Sequence, residues 1–231
     1  MDHRQAASVE EATGSGGFGD DAIRTAGRRL LAVIMIVGPL TQVVAFLVLP
    51  WIGSDDYVSA VRASADTYPN YAWLGLAGAL TLAPATIGVG LAVSRTRPGW
   101  ALAGLILTVP GLLNPDGNPD DLIYAANSAD VPADTTRTML DQLAALPAFG
   151  PVGFYAFAVA FALGGVVLGI GIIRSDAAPR WAGAALLVAG LLGLAASFID
   201  LGLVVSAGIW TLVLVSFTGC AIRTAHAGHP S

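Results

Sequence analysis

The chain has 231 residues, 55% of them apolar and only 12% charged, with a mean hydropathy of +0.71. A soluble domain carries about 25% charged residues, so this composition excludes an ordinary soluble globule and places the chain in the membrane class. The formal net charge of −5, with eleven arginines and no lysine, excludes a basic nucleic-acid surface.

Arginine without lysine, beside abundant Ala, Gly and Val, reads as the bias of a GC-rich genome and carries no functional weight. The single cysteine, Cys220, allows no internal disulfide and reads as a small buried apolar residue.

Residues 1–23 are polar and rich in Gly and acids, and read as a disordered cytoplasmic tail. The first membrane span is expected over about 28–50. It starts far from Met1, is long for a signal peptide and lacks an Ala-x-Ala site after it, so it is expected to be retained. Thr41 and Gln42, next to Pro39, are its most polar feature. They suit a hydrogen bond between helices or, more sharply, an intramembrane polar site touching a substrate. The second span is expected over 71–94, with a kink at Pro84, and the third over 98–113, with Pro110. The third is short. If it is re-entrant, the count falls to five.

The outer loop 114–151 opens "NPDGNPDD". Asp116, Asn118, Asp120 and Asp121 place oxygen ligands much as a calcium loop begins, but the central Gly and closing Glu of an EF-hand are missing. A turn formed by Pro, Asp and Gly explains the same run. Further along, a short amphipathic helix is expected. It would be capped at Asp134 or Thr135 and carry Met139, Leu140, Leu143 and Leu146, with 139, 143 and 146 on one face. It would lie on the outer membrane surface, cover the bundle or meet a partner.

The fourth span is expected over 152–173. Gly165 and Gly169 form a Gly-x-x-x-Gly signature for close helix approach, within the chain or with a second copy. Residues 181–222 carry one charge, Asp200. One helix of that length would reach ~63 Å, twice the bilayer core. It must therefore fold back at Asp200, giving spans over 180–198 and 202–222. Asp200 suits an outer turn, with a transport role as the alternative. Residues 224–231 form a second tail.

Arginine fixes the expected orientation. With six spans, Arg4, Arg24, Arg28, Arg29, Arg95, Arg97, Arg174, Arg180 and Arg223 share one side, and only Arg62 and Arg137 fall on the other. The positive-inside rule makes the first side cytoplasmic, with both termini there.

The chain also matches itself. An offset of 81 residues without a gap superposes Gly88 on Gly169, Ser94 on Ser175, Pro98 on Pro179 and Trp100 on Trp181, among other identities. Spans two and three thus repeat as spans four and five, a parallel repeat of helical hairpins. Each proline suits the start of the following helix, and each tryptophan suits the membrane interface.

"GIGIIRSDAAPRWAGAALLVAGLL" (169–192), with "LVLP" (47–50) before an outer segment, resembles a hairpin of uncharacterised multi-pass membrane proteins of actinobacteria, of the domain-of-unknown-function type. The resemblance spans about 24–223. It implies a membrane address and a fold, and no activity or site residue.

No span contains histidine. His3, His226 and His229 lie in the tails, so paired-histidine haem is excluded within the chain, and "HAGH" (226–229) is at most a loose metal site. No nucleophile–base pair, phosphate loop or zinc pattern is present, and no catalytic residue or cofactor is expected. The sequence therefore predicts an all-α, six-helix integral protein of a bacterial cytoplasmic membrane. Its expected role is non-enzymatic: structural, accessory or partner-binding. The expected partners are the lipid bilayer and a membrane protein or a second copy. The alternative is a small-solute transporter, which needs an aqueous cavity near mid-bilayer lined by both hairpins and Gln42. An interior packed with Ala, Gly and Leu speaks against it.

Overall fold

The computed structural model describes residues 17–49, 54–112, 119–146, 151–199 and 201–226. The described residues form helices and no strand. In chain order they are α1 (Gly17–Val48), α2 (Tyr57–Ala63), α3 (Tyr68–Ser94), α4 (Pro98–Gly111), α5 (Pro119–Ser128), α6 (Ala133–Ala145), α7 (Pro151–Ile173), α8 (Arg180–Ala196) and α9 (Gly202–His226).

Proline marks many of the helix starts. Pro69 lies in the first turn of α3, and Pro98 and Pro151 are the first residues of α4 and α7, where a missing N–H is harmless. Pro179 instead stands one position before α8, extended at φ −56°, ψ 145°. The two repeat-related helices thus begin one residue out of register. Pro39 and Pro84 do not break α1 or α3, and Pro110 falls in the last turn of α4. Two buried threonines inside the apolar helices are satisfied by their own backbone. Thr86 donates to the Leu82 carbonyl at 2.9 Å and Thr108 to Gly104 at 2.8 Å.

Among the described residues, four helices are long and apolar enough to cross a membrane: 23–48 in α1, α3, 156–173 in α7 and 204–226 in α9. The other two apolar helices, α4 and α8, have 14 and 17 residues. The six pack as a closed circuit, α1 on α3, α3 on α4, α4 on α7, α7 on α8, α8 on α9, and α9 back on α1. Contacts of α3 with α7 and α9 fill the middle. The core includes Met35, Val89, Leu168, Ile172, Leu186 and Phe217.

Glycine sets how closely these helices approach. A Cβ at Gly169 would fall 2.7 Å from the Leu187 nitrogen and 2.9 Å from the Gly183 oxygen of α8. At Gly190 it would meet the Ala162 oxygen at 2.7 Å, and at Gly164 the Thr108 nitrogen of α4 at 2.6 Å. These are backbone contacts that leave no room for a methyl group. Gly165 differs: its Cβ would lie an ordinary 3.6 Å from Gly190. Both glycines of the Gly-x-x-x-Gly pair face α8 of the same chain, so the close approach is intramolecular and Gly169 carries it.

Other expectations are corrected. The polar stretch was expected to remain disordered to residue 23, yet α1 begins at Gly17. Polarity bars a segment from lipid, not from a helix. His226 closes α9 rather than lying in a tail, and His229 is outside the described residues. The outer segment holds two helices, α5 and α6, not one. Neither Asp134 nor Thr135 caps α6, which begins at Ala133 after an extended Pro132 with no side-chain cap. The two matched hairpins also pack differently. Gly88 of α3 faces Leu31 and Met35 of α1, whereas its counterpart Gly169 faces α8.

Gly169→Ala is expected to destabilise the protein by about 1–3 kcal/mol through overpacking, and Gly165→Ala to be neutral or slightly stabilising. Thermal unfolding in detergent distinguishes them. Equal effects would contradict the packing described.

Candidate functional site

The polar chemistry lies at the two ends of the bundle. At one end, α2, α5 and α6 form a small cap with its own core of Val58, Val61, Tyr68 and Ile123, on which Tyr124 and Leu140 pack. Two arginines tie its distant pieces together. Arg62 of α2 donates to the Val131 carbonyl and, at 2.8 Å, to the Thr136 hydroxyl. Arg137 of α6 pairs with Asp56 at 2.8 Å and with Asp134 at 2.8 Å. These are the two arginines that the sequence separates from the other nine.

Asp56 also caps α2, accepting from the Ser59 nitrogen at 3.2 Å and the Ser59 hydroxyl at 2.6 Å. The Ser59 hydroxyl, followed by the Arg137 guanidinium, lowers its carboxyl from 3.8 to about 2. The same pairing raises the Arg137 guanidinium above its usual value. Asp130, at φ 55°, takes the left-handed conformation that turns α5 into α6, and Val131 N–H closes the turn on the Ala126 carbonyl at 2.9 Å.

Beneath the cap, α1 and α3 line a cleft of about 480 Å³. Gln42, Ala45 and Leu49 form one wall, and Tyr71, Ala72, Gly75 and Ala79 the other. Both sets follow helical spacing, so the cleft lies between facing helix surfaces. The Gln42 amide closes its inner end, because a Cβ on Gly78 of α3 would lie 2.5 Å from Gln42 Nε2. One turn further out the helices part, and a Cβ on Gly75 would meet nothing within 4 Å. Tyr68, Asp120 and Asp121 complete the outer end. Tyr68 donates its hydroxyl to Asp121 Oδ1 and stacks on Tyr124 with centroids 4.5 Å apart. Asp120 is buried.

The site thus unites Gln42 with Asp120 and Asp121, residues that the sequence offers as parts of two unrelated features. Thr41 is not part of it; its hydroxyl donates to Gly38 of its own helix at 2.6 Å. Asp116, Asn118 and Asp200 lie outside the described residues. Asp120 and Asp121 stand in the first turn of α5, and among the described residues no group of three or more His, Cys, Asp or Glu side chains could hold a metal ion. The described end of α8 is closed by Ser197 donating its hydroxyl to the Gly193 carbonyl at 2.9 Å and by backbone bonds of Phe198 and Ile199 to Ala195. The 139/146 face of α6 is turned outward, and the face that packs on the cap is the other one. Thr136 is fully buried and Leu140 packs in the cap, while Met139 and Leu146 are exposed. Sequence reasoning missed Tyr68 and Tyr71; two tyrosines at the start of a candidate span were the available signal.

Chemically, the cleft offers carboxylates, phenols and an amide at the end of an apolar slot. That suits a cationic head on an apolar stem. Residues 119–225, from α5 into α9, match DUF4386, a domain of unknown function. No curated protein and no solved structure matches the chain.

Two predictions follow from the cap. Arg62→Met is expected to destabilise it by about 1.5–3 kcal/mol, the usual worth of hydrogen bonds from a charged donor, read as faster hydrogen exchange in 57–67 and 131–140. Asp56 has a lowered folded pKa, so its contribution is complete above the ordinary value of 3.8 and is lost as pH falls toward 2. Asp56→Asn should remove that acid-dependent loosening of α2. An unchanged acid profile would contradict the assignment.

Proposed function

We propose that the chain is a non-enzymatic, accessory or partner-binding protein of a bacterial cytoplasmic membrane, crossing six times with both termini inside. The six crossings are supported by exposed apolar stripes at helical spacing on α1, α3, α4 and α8, the two short helices included. Leu30, Val33, Leu40 and Leu47 mark α1; Trp73, Leu76, Leu80, Ile87 and Leu91 mark α3; Leu102 and Ile106 mark α4; and Trp181, Val188 and Leu191 mark α8. Bundles in water do not expose such stripes. Exposed Phe198 and Ile199 extend the apolar band of α8. The sequence match between hairpins supports an ancestral duplication.

The observation that carries the binding role is the union of Gln42, Tyr68, Tyr71, Asp120 and Asp121 in one cleft at the outer end. The partner is a membrane protein that seats a Lys or Arg side chain, with its apolar stem, in that cleft. The transport alternative is not favoured. The central void between the hairpins is about 30 Å³, walled by apolar side chains and two internally bonded threonines, and Gln42 is not in its lining. That is room for about one water-sized sphere.

Gly75→Leu puts a side chain into the cleft from a position where a Cβ meets nothing within 4 Å. Complexes purified from native membranes should lose a discrete partner in Gly75→Leu and in Asp120→Asn/Asp121→Asn, with thermal stability of Gly75→Leu unchanged. An identical partner set in wild type and Gly75→Leu, or no partner in wild type, would refute the proposal.

A further inference from the structure

The arginine-rich end holds a second cavity, of about 270 Å³, between the end of α3, the α7–α8 turn and the end of α9. Arg95, Thr96, Asp176, Arg223, Thr224 and His226 line it over a floor of Ala92 and Ala177. Neighbouring arginines are engaged. Arg97 Nε donates to the Arg174 carbonyl at 2.9 Å, and the Arg174 guanidinium lies 5.1 Å from the Trp100 ring centroid. Arg95 and Arg223 are not: among the described residues neither forms a hydrogen bond or ion pair. Asp176 shares the cavity without pairing with either.

Each of these arginines follows or ends a helix, where the helix dipole favours a cation. That accounts for one positive charge per helix, but not for both being turned into the same cavity. Thr224 donates to the Cys220 carbonyl at 2.9 Å, and His226 Nδ1 lies 2.7 Å from the Ile222 carbonyl. With that Nδ1–H donating, Nε2 is left for the cavity, and the Thr96 hydroxyl is a further donor. Two guanidiniums from separate helices line one cavity that holds a single carboxylate, a donor set whose charge and N–H groups suit an oxyanion.

We propose that this cavity binds a phosphate-class oxyanion, held between Arg95 and Arg223. The bound group would bridge the ends of α3 and α9 with the α7–α8 turn and brace that mouth of the bundle. The same chemistry comes from free phosphate or from an anionic lipid head group such as phosphatidylglycerol. The proposal is independent of the outer cleft and of which side of the membrane this end faces.

The test uses the full chain in neutral detergent. Thermal unfolding is followed with inorganic phosphate, with sodium chloride at matched ionic strength, and with phosphatidylglycerol in mixed micelles. At least one phosphate source should raise the melting temperature by about 2–4 °C or more. A shift with phosphate assigns a soluble anion; a shift with the lipid alone assigns a head group. Arg95→Gln and Arg223→Gln should each abolish the shift, Arg95→Lys should keep part of it, and Arg29→Gln should keep it whole. Direct titration calorimetry with the same probe covers a variant of altered stability. No shift from either source, an equal shift with chloride, or a shift retained by Arg95→Gln/Arg223→Gln would overturn the proposal.

Discussion

The structure depends on backbone meeting backbone along α7. In lipid, apolar side chains gain little by leaving the solvent for a neighbouring helix, so association rests on close packing. Gly164 admits the Thr108 backbone of α4, and Gly169, Gly183 and Gly190 let α7 and α8 touch main chain to main chain. With α7 held on both sides, the circuit of six helices closes on itself around a small void of about 30 Å³ lined mostly by apolar side chains. Leucine, isoleucine and tryptophan stripes are left to face outward, as a bilayer requires. Among the described residues no Asp, Glu, Lys, Arg or His lies in the middle of the six apolar helices, and the polar chemistry gathers at the two ends.

Arginine serves both ends, with different partners. In the cap, Arg62 and Arg137 join α2 to the α5–α6 segment across more than sixty residues of chain, through a carbonyl, a threonine hydroxyl and Asp56. At the opposite end, Arg97 and Arg174 tie the two hairpin turns to each other, with Trp100 under the Arg174 guanidinium. A residue type that reads as a topological marker is therefore also the fastening of both ends. Arg95 and Arg223 stand apart from this use.

Much of the fold is legible in the sequence because lipid imposes long periodic runs. The six apolar segments, the proline start at Pro98 and the close approach at Gly169 all follow from local chemistry. The cap is not legible in the same way. Its helices are short, and its contacts join loops far apart in the chain. Thr136 shows why the buried face of α6 escapes a hydrophobic pattern: a threonine is fully buried there because Arg62 satisfies it, while Met139 faces out. Gln42 reads as mid-span glue, and it does pack on Gly78. Its second role, closing a cleft roofed by Asp120 and Asp121, needs the fold of α5 over α3. The 81-residue repeat is visible as identities, but its two glycines, Gly88 and Gly169, have found different partners.

The most direct test of the account is the sidedness of the short helices α4 and α8. Cys220 is fully buried, so the native thiol is silent to an aqueous reagent. Single cysteines at Asp66, Gly99, Ala129 and Asp176 can be probed with a membrane-impermeant maleimide in intact spheroplasts. Six crossings predict labelling of Asp66→Cys and Ala129→Cys from outside, and of Gly99→Cys and Asp176→Cys only after the membrane is opened. Labelling of Gly99→Cys together with Ala129→Cys in intact spheroplasts would place both ends of α4 on one side and contradict the account.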